Sequence, residues 1–455
     1  MNGPTCTGPL LVIFTTLLPP LLVAQAPLNG YITEGLTNNL VVQQRTIALE
    51  QSLLGLKDAR SLFMPRADLN SSYLSGEGGR YFDFPVGDLV NPAYSTLNQL
   101  LGSDVFPQVE NVKGYLNPNN YYDAHVRTSM PLLNTDLIHN KRLQQQQVQL
   151  KDCEVDIYKR QLVKEIKQAY YQVLLADAGV RTYESALTLL QRNLAVSESL
   201  ERNGKGVPAQ VLRSRSELER IRTQLVTAKA QGANARRYFN FLLNKPMDSA
   251  VDTQYDVRAA LADTSQYTVV DISRREELAA LRTGVDLRNS QFKLADQYWV
   301  PKLGTFLDLG YQGIDWSTDS NADYYLFGVT LDVPVFNGLR NRNQRQRALL
   351  GVRSAELEET QVTNQLRLGA DVARNDLDAS LSALQSATAQ EASARSYFNL
   401  IETGYREGVN TLIEYIDGRN QLTSSEVQLF VAYYTTLQRL AELERATATY
   451  PLSNE

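Results

Sequence analysis

The chain has 455 residues, a formal charge of −5 and a mean hydropathy of −0.30. That balance excludes a nucleic-acid binder, which needs a basic stripe. It also excludes a helical membrane protein, because beyond the N-terminus no apolar run reaches about 18 residues. With two histidines, two cysteines, no P-loop and no GxGxxG pattern, the residues offer no metal cluster, no cofactor site and no nucleophile–base pair, so an enzyme is not expected.

In chain order, residues 1–26 read as a secretory signal. Residues 10–24 are apolar and Ala24-Gln25-Ala26 has the small-residue cleavage pattern. Of the two cysteines, Cys6 lies in this leader, and Cys153 is expected to be a buried, inert thiol. Residues 31–63 read as one helix that Pro65 ends. The period then changes to two: Ala67, Leu69 and Tyr73 alternate with Asp68, Asn70 and Ser72, and Tyr122, Ala124, Val126 and Met130 alternate with Asp123, His125, Arg127 and Ser129. Both stretches are expected to be strands with one apolar and one polar face. The segment between them, 76–120, is rich in Gly, Pro, Asn and Tyr. It reads as a surface loop with a short helix near 94–101.

Pro131 marks the junction from strand to helix. From about 137 to 202 no proline intervenes, and Val163, Ile166, Tyr170, Val173, Val180, Leu187, Leu190 and Leu194 fall at coiled-coil spacings. Such a helix is roughly 100 Å long, whereas an ordinary globular helix has about 11–12 residues. Gly204 and Gly206 make a turn, and a half-length helix returns over 209–243. After an irregular stretch, 248–273, the pattern starts again. There is a helix at 274–298, strands at 302–311 and 324–333, a second junction at Pro334, a long helix at 339–401, a glycine turn at 404–410 and a returning helix to 448.

The two halves are one unit repeated at a spacing of about 203–204 residues: Met130-Pro131 corresponds to Val333-Pro334, Gly204 to Gly408, Leu212 to Ile416 and Arg215 to Arg419. The expected division is 1–26 signal, 27–243 first repeat, 244–273 connection, 274–448 second repeat and 449–455 tail. Four amphipathic strands cannot close a barrel, for which about eight is the smallest common number. Closure therefore needs further copies of the chain. The strand faces suit a membrane barrel with aromatic and branched residues outward and polar residues inward. A periplasmic coiled-coil structural or adhesion protein, whose strands stay out of lipid and form no pore, is the alternative.

The duplicated strand–helix unit, the DVPVFNG turn at 332–338 and the GYREGVNTLIEYID tip at 404–417 resemble the TolC-type outer membrane efflux channels. The likeness extends over the whole mature chain, and the loop 84–117 resembles members from the Bacteroidetes branch. The resemblance implies a mainly α protein with a membrane β-barrel: a homotrimeric 12-strand barrel fused to a 12-helix periplasmic α-barrel, about 100 Å long. It implies a passive exit duct in the outer membrane of a Gram-negative bacterium, extending into the periplasm. Such a duct exports small molecules or proteins with a periplasmic adaptor (membrane fusion protein) and an inner-membrane transporter of the RND, ABC or MFS class.

The resemblance also assigns residues. Glu414 and Asp417 occupy the D-x-x-D place of the periplasmic gate, where three copies would bring six carboxylates together as a coupled set. The matched positions of the first repeat are Gln210 and Arg213. Tyr405 takes the place of a latch tyrosine, but the latch's basic partner falls at Asn410, a departure from the family, with Arg406 as a possible substitute. Gly204, Gly206, Gly404 and Gly408 form the tip turns and the adaptor contact. Two stacks of half-length helices are implied, 274–298 on 209–243 and 31–63 with 412–448.

Overall fold

The computed structural model describes residues 26–117, 119–261, 270–316 and 322–452. The signal and its cleavage site up to residue 25, Cys6, part of the connection (262–269) and the last three residues of the tail lie outside the described residues. In order the elements are α1 (Ala26–Asn38), α2 (Leu40–Ser61), β1 (Arg66–Leu74), β2 (Tyr81–Phe84), α3 (Val86–Leu101), β3 (Val112–Tyr115), β4 (Tyr121–Leu133), α4 (Thr135–Arg202), α5 (Pro208–Leu242), α6 (Val257–Leu261), α7 (Glu276–Asp296), β5 (Lys302–Ile314), β6 (Asp323–Asp332), α8 (Arg340–Arg406) and α9 (Leu412–Thr447). The chain divides into two compact units. The first holds residues up to Ser52, Gln146–Asp286 and those from Arg353 onward; the second holds Leu53–Gln145 and Leu287–Val352.

The second unit is built on an antiparallel sheet in the order β1-β4-β5-β6. Its register aligns Leu69 with Val126, Val126 with Leu309 and Leu309 with Tyr325, so one apolar row crosses all four strands. The next row is polar on three strands, aligning Asp68, Arg127 and Asp308, and ends in Leu326 on β6. The burial of these rows is the reverse of a soluble sheet: Leu69, Tyr325 and Phe327 are 76%, 77% and 64% exposed, while the Asp308 carboxylate is 2% exposed. Arg127 covers it through two hydrogen bonds of 2.7 Å and lies over the Phe306 ring at 4.9 Å. On the same face, Asp123 accepts from the Tyr324 hydroxyl at 2.9 Å and meets His125 at 3.1 Å. Among the described residues, the outer edges of β1 and β6 have no partner strand.

The loop 76–120 is more ordered than its composition suggests. It holds the β2–β3 hairpin and the 16-residue helix α3. The helix begins at Val86, ahead of the expected 94, and holds Pro92 within it. Asn91 and Asn98 each donate to and accept from the backbone of the returning segment, at Val109 and Phe106. Asparagine amides mimic a strand edge, and they fasten that segment along α3.

The junctions differ from each other. Pro131 lies inside β4, opposite Gly304, and not after the strand as expected. β1 pairs only as far as Ser129, and the ladder to β5 shifts register between Pro131 and Leu133. A residue with no N–H is tolerated at such a bulge. Pro334 does follow its strand, and Gly338 and Leu339, both at positive φ, turn the chain into α8.

In the first unit the core is aromatic. Tyr170 and Phe239 are fully buried with their rings 5.6 Å apart, and Tyr31 meets Phe239 edge-on at 5.1 Å. The Tyr170 hydroxyl donates to the Asp252 carbonyl at 2.9 Å, which satisfies the one polar atom the ring carries inside. The expected single helix over 31–63 is two, α1 and α2. Asn39 breaks it because its Oδ1 accepts from the N–H groups of Val41 and Val42 while its Nδ2 donates to the Leu242 carbonyl.

That bond also corrects the implied stacking: the start of α2 meets the end of α5. The end of α9 meets the start of α7, where Arg445 bonds Glu277 and Arg275 reaches the Ala446 carbonyl. The half-length helices of one repeat therefore meet each other. Cys153 is half-buried on α4, not fully buried as expected; that partial desolvation and the neighbouring Asp152 and Asp156 push its thiol up.

Candidate functional site

Both helical hairpins of the first unit end in the same turn. At the first, Lys205 N and Gly206 N donate to the Leu200 carbonyl and Gly204 N to Glu201. At the second, Val409 N and Asn410 N donate to the Gly404 carbonyl and Gly408 N to Tyr405. Gly204 and Gly408 have φ of 69° and 76°, the left-handed conformation that ends a helix and favours glycine.

The other two tip glycines serve different ends. A Cβ on Gly206 would come within 2.9 Å of the Glu201 backbone nitrogen, so backbone packing demands glycine there. A Cβ on Gly404 would run into the Asn410 side chain at its Oδ1. Gly404 is thus a seat for the Asn410 amide. The residue at the expected basic place is folded back onto its own turn.

Thr411 and Glu414 make a capping box at the start of α9. The Thr411 hydroxyl accepts from Glu414 N at 3.3 Å, and the Glu414 carboxylate accepts from Thr411 N at 2.6 Å and from its hydroxyl at 3.0 Å. Asn410 adds a longer contact at 3.4 Å. These bonds, the backbone one foremost, hold the Glu414 carboxyl below its usual range. The T-x-x-E spacing is legible in the sequence as a helix start, a role that the acidic-pair expectation for Glu414 leaves out.

Asp417 is exposed one turn on, and among the described residues no side chain pairs with it. Leu412, Tyr415 and Ile416 face inward from the same turns, so both carboxylates lie on the solvent side of this chain. At the matched place on the first hairpin, Arg213 pairs with Glu217 at 3.2 Å.

Tyr405 makes no hydrogen bond among the described residues. Its ring packs on Tyr415 at 4.9 Å, and Tyr415 packs on Phe398 at 5.5 Å. Burial pushes both phenols up. Arg406 pairs with Glu402 at 2.9 Å. Tyr405 therefore lies in a tilted aromatic pair, and Arg406 in a separate ion pair beside it. Sequence reasoning also missed Asn193, a buried amide whose nitrogen has no partner. Its position in the apolar seam of α4 was the available signal.

Residues 271–449 match the outer membrane efflux protein family. The pyoverdine export outer membrane protein OpmQ of Pseudomonas putida is 22% identical over 294 residues, which is 62% of this chain and 60% of OpmQ, less than two thirds of that relative's length. The outer membrane protein TolC of Escherichia coli is 21% identical over 390 residues, covering 78% of this chain and 77% of TolC. Among solved structures, the outer-membrane channel OprN superposes with a TM-score of 0.75 at 17% identity, over 94% of this chain and 92% of that one. The chain therefore resembles the outer membrane efflux proteins and has the fold of their TolC-type channels.

Proposed function

We propose that three copies of this chain form a passive exit duct in the outer membrane of a Gram-negative bacterium, its helices reaching into the periplasm. One observation carries the reading: a four-stranded sheet whose apolar face is bare, whose polar face is occupied by Arg127, Asp308 and Asp123, and whose two edges are open. Lipid covers such a face, and two further copies satisfy such edges. A soluble coiled-coil protein would leave both exposed to water, where an open edge templates aggregation.

Channels of this family are trimeric and work with adaptors and inner-membrane pumps, and they are not enzymes. For this chain we assign a periplasmic adaptor at the turns of Gly204, Gly206, Gly404 and Gly408, and a transporter of the RND, ABC or MFS class beyond it. Residues 27–243 and 274–448 act as the two repeats and 244–273 as the connection at the belt. Asp417, with Glu414 behind it, supplies the acid ring of the periplasmic mouth, and Tyr405 holds the closed tip through its stack on Tyr415 rather than through a cation.

Crosslinking of the full-length chain in native membranes, followed by reconstitution in a planar bilayer, tests the reading. A trimer with a cation-preferring conductance supports it. A protein that stays monodisperse without detergent and yields no trimer refutes it.

A further inference from the structure

A cavity of about 410 Å³ lies within the first unit, between α4 of the first hairpin and the tip ends of α8 and α9. That volume falls in the range of about 300–1,000 Å³ that holds small ligands. Its walls are apolar and aromatic: Leu189 and Val196 on one side, the stacked Tyr405 and Tyr415 on the other. Asn193, which also lines it, is 6% exposed and its Nδ2 has no hydrogen-bond partner. A buried amide donor left open is a cost that a bound acceptor removes. The charged lining is unbalanced. Arg406 is matched by Glu402, whereas Arg192 has no ion pair among the described residues, which leaves one net positive charge.

We infer that this cleft binds a small organic monoanion with a flat apolar body, its ring against Tyr405 and Tyr415 and its anionic group toward Asn193 and Arg192. The bound molecule touches both hairpins and ties them together near their tips. That regulatory consequence, a duct biased toward its closed mouth, rests on the channel reading; the binding does not.

The test uses the full chain in lipid nanodiscs, with 2-naphthoate as probe and the neutral 2-naphthalenemethanol as its comparison. Isothermal titration is expected to give one saturable naphthoate site per chain, bound at least ten-fold tighter than the alcohol. Binding is expected to weaken at least ten-fold in Asn193→Leu and to vanish in Val196→Trp, which fills the cleft. Equal heats for wild type and both variants would overturn the site, since the probe would then be partitioning into lipid. So would wild-type affinity in an Asn193→Leu protein of altered stability, because Asn193 would then serve only as a register-setting residue of the coil. In a planar bilayer, naphthoate on the tip side should lower conductance of the wild type and not of Val196→Trp. Saturable, variant-sensitive binding by a protein that conducts under no condition would keep the site and remove the channel reading.

Discussion

Replacing Glu277 by Gln should destabilise the junction of α7 and α9 more than any surface change. Glu277 accepts from Arg275 at 2.8 Å and from one terminal nitrogen of Arg445, whose Nε and other terminal nitrogen have no partner among the described residues. Burial pushes its carboxyl up, but the two guanidinium groups outweigh that and bring it down to about 2 from 4.5. At about 1.4 kcal/mol per pH unit this interaction is worth at most about 3.5 kcal/mol. The side chain is 18% exposed, so solvent screening brings the figure to roughly 2 kcal/mol.

Because the folded-state value is depressed, the contribution is fully present above about pH 4.5 and is lost as pH falls toward 2. Glu277→Gln leaves two buried cations side by side, a larger loss of about 3–5 kcal/mol. Glu277→Gln with Arg445→Met removes both the carboxylate and the stranded cation and should recover more than half. Thermal unfolding of the full chain followed by circular dichroism, at neutral pH and through the acid range, reads all three proteins. Equal midpoints for Glu277→Gln and wild type at neutral pH, or a wild-type midpoint that does not fall below pH 4.5 relative to the variant, would refute the argument.

Three further outcomes follow from the tips and the sheet. Asp417→Ala is the clean test of the acid ring, since Glu414→Ala also removes a helix cap. Asp417→Ala should raise bilayer conductance and weaken block by multivalent cations without changing helix content, and unchanged block would remove Asp417 from the mouth. Gly206→Ala should cost about 1–3 kcal/mol by overpacking against backbone, whereas Gly404→Ala needs only a new Asn410 rotamer and gains about 1 kcal/mol of helix propensity. Hydrogen exchange at the two turns should therefore rise in the first variant alone. Arg127→Met leaves the Asp308 carboxylate without its guanidinium partner and should reduce assembled trimer in detergent extracts, with Arg127→Met/Asp308→Leu restoring it.

Most of the architecture was legible because its signals are periodic. Alternation from Ala67 to Tyr73 and from Leu303 to Tyr311 specified strand faces, and the 3–4 spacing from Val163 to Leu194 specified a helix far longer than a globular core uses. The repeat offset places Gly204 opposite Gly408, and the two turns share one hydrogen-bond pattern. What failed was local or long-range. Asn39 and Pro131 act through single bonds and a register shift that leave no period. The pairing of the start of α2 with the end of α5 joins residues 203 apart, and no pattern within either helix encodes it.

The sequence alone determined the duplicated unit, the two faces of each strand and the turns at the hairpin ends, because periodicity and glycine stereochemistry are properties of neighbouring residues. Only the tertiary structure decided what the tip residues do. It left Asp417 without a side-chain partner among the described residues, folded Asn410 onto Gly404 and set Tyr405 against Tyr415. Side-chain partners depend on which groups the folded chain brings within about 3 Å, and a linear pattern carries no such distance.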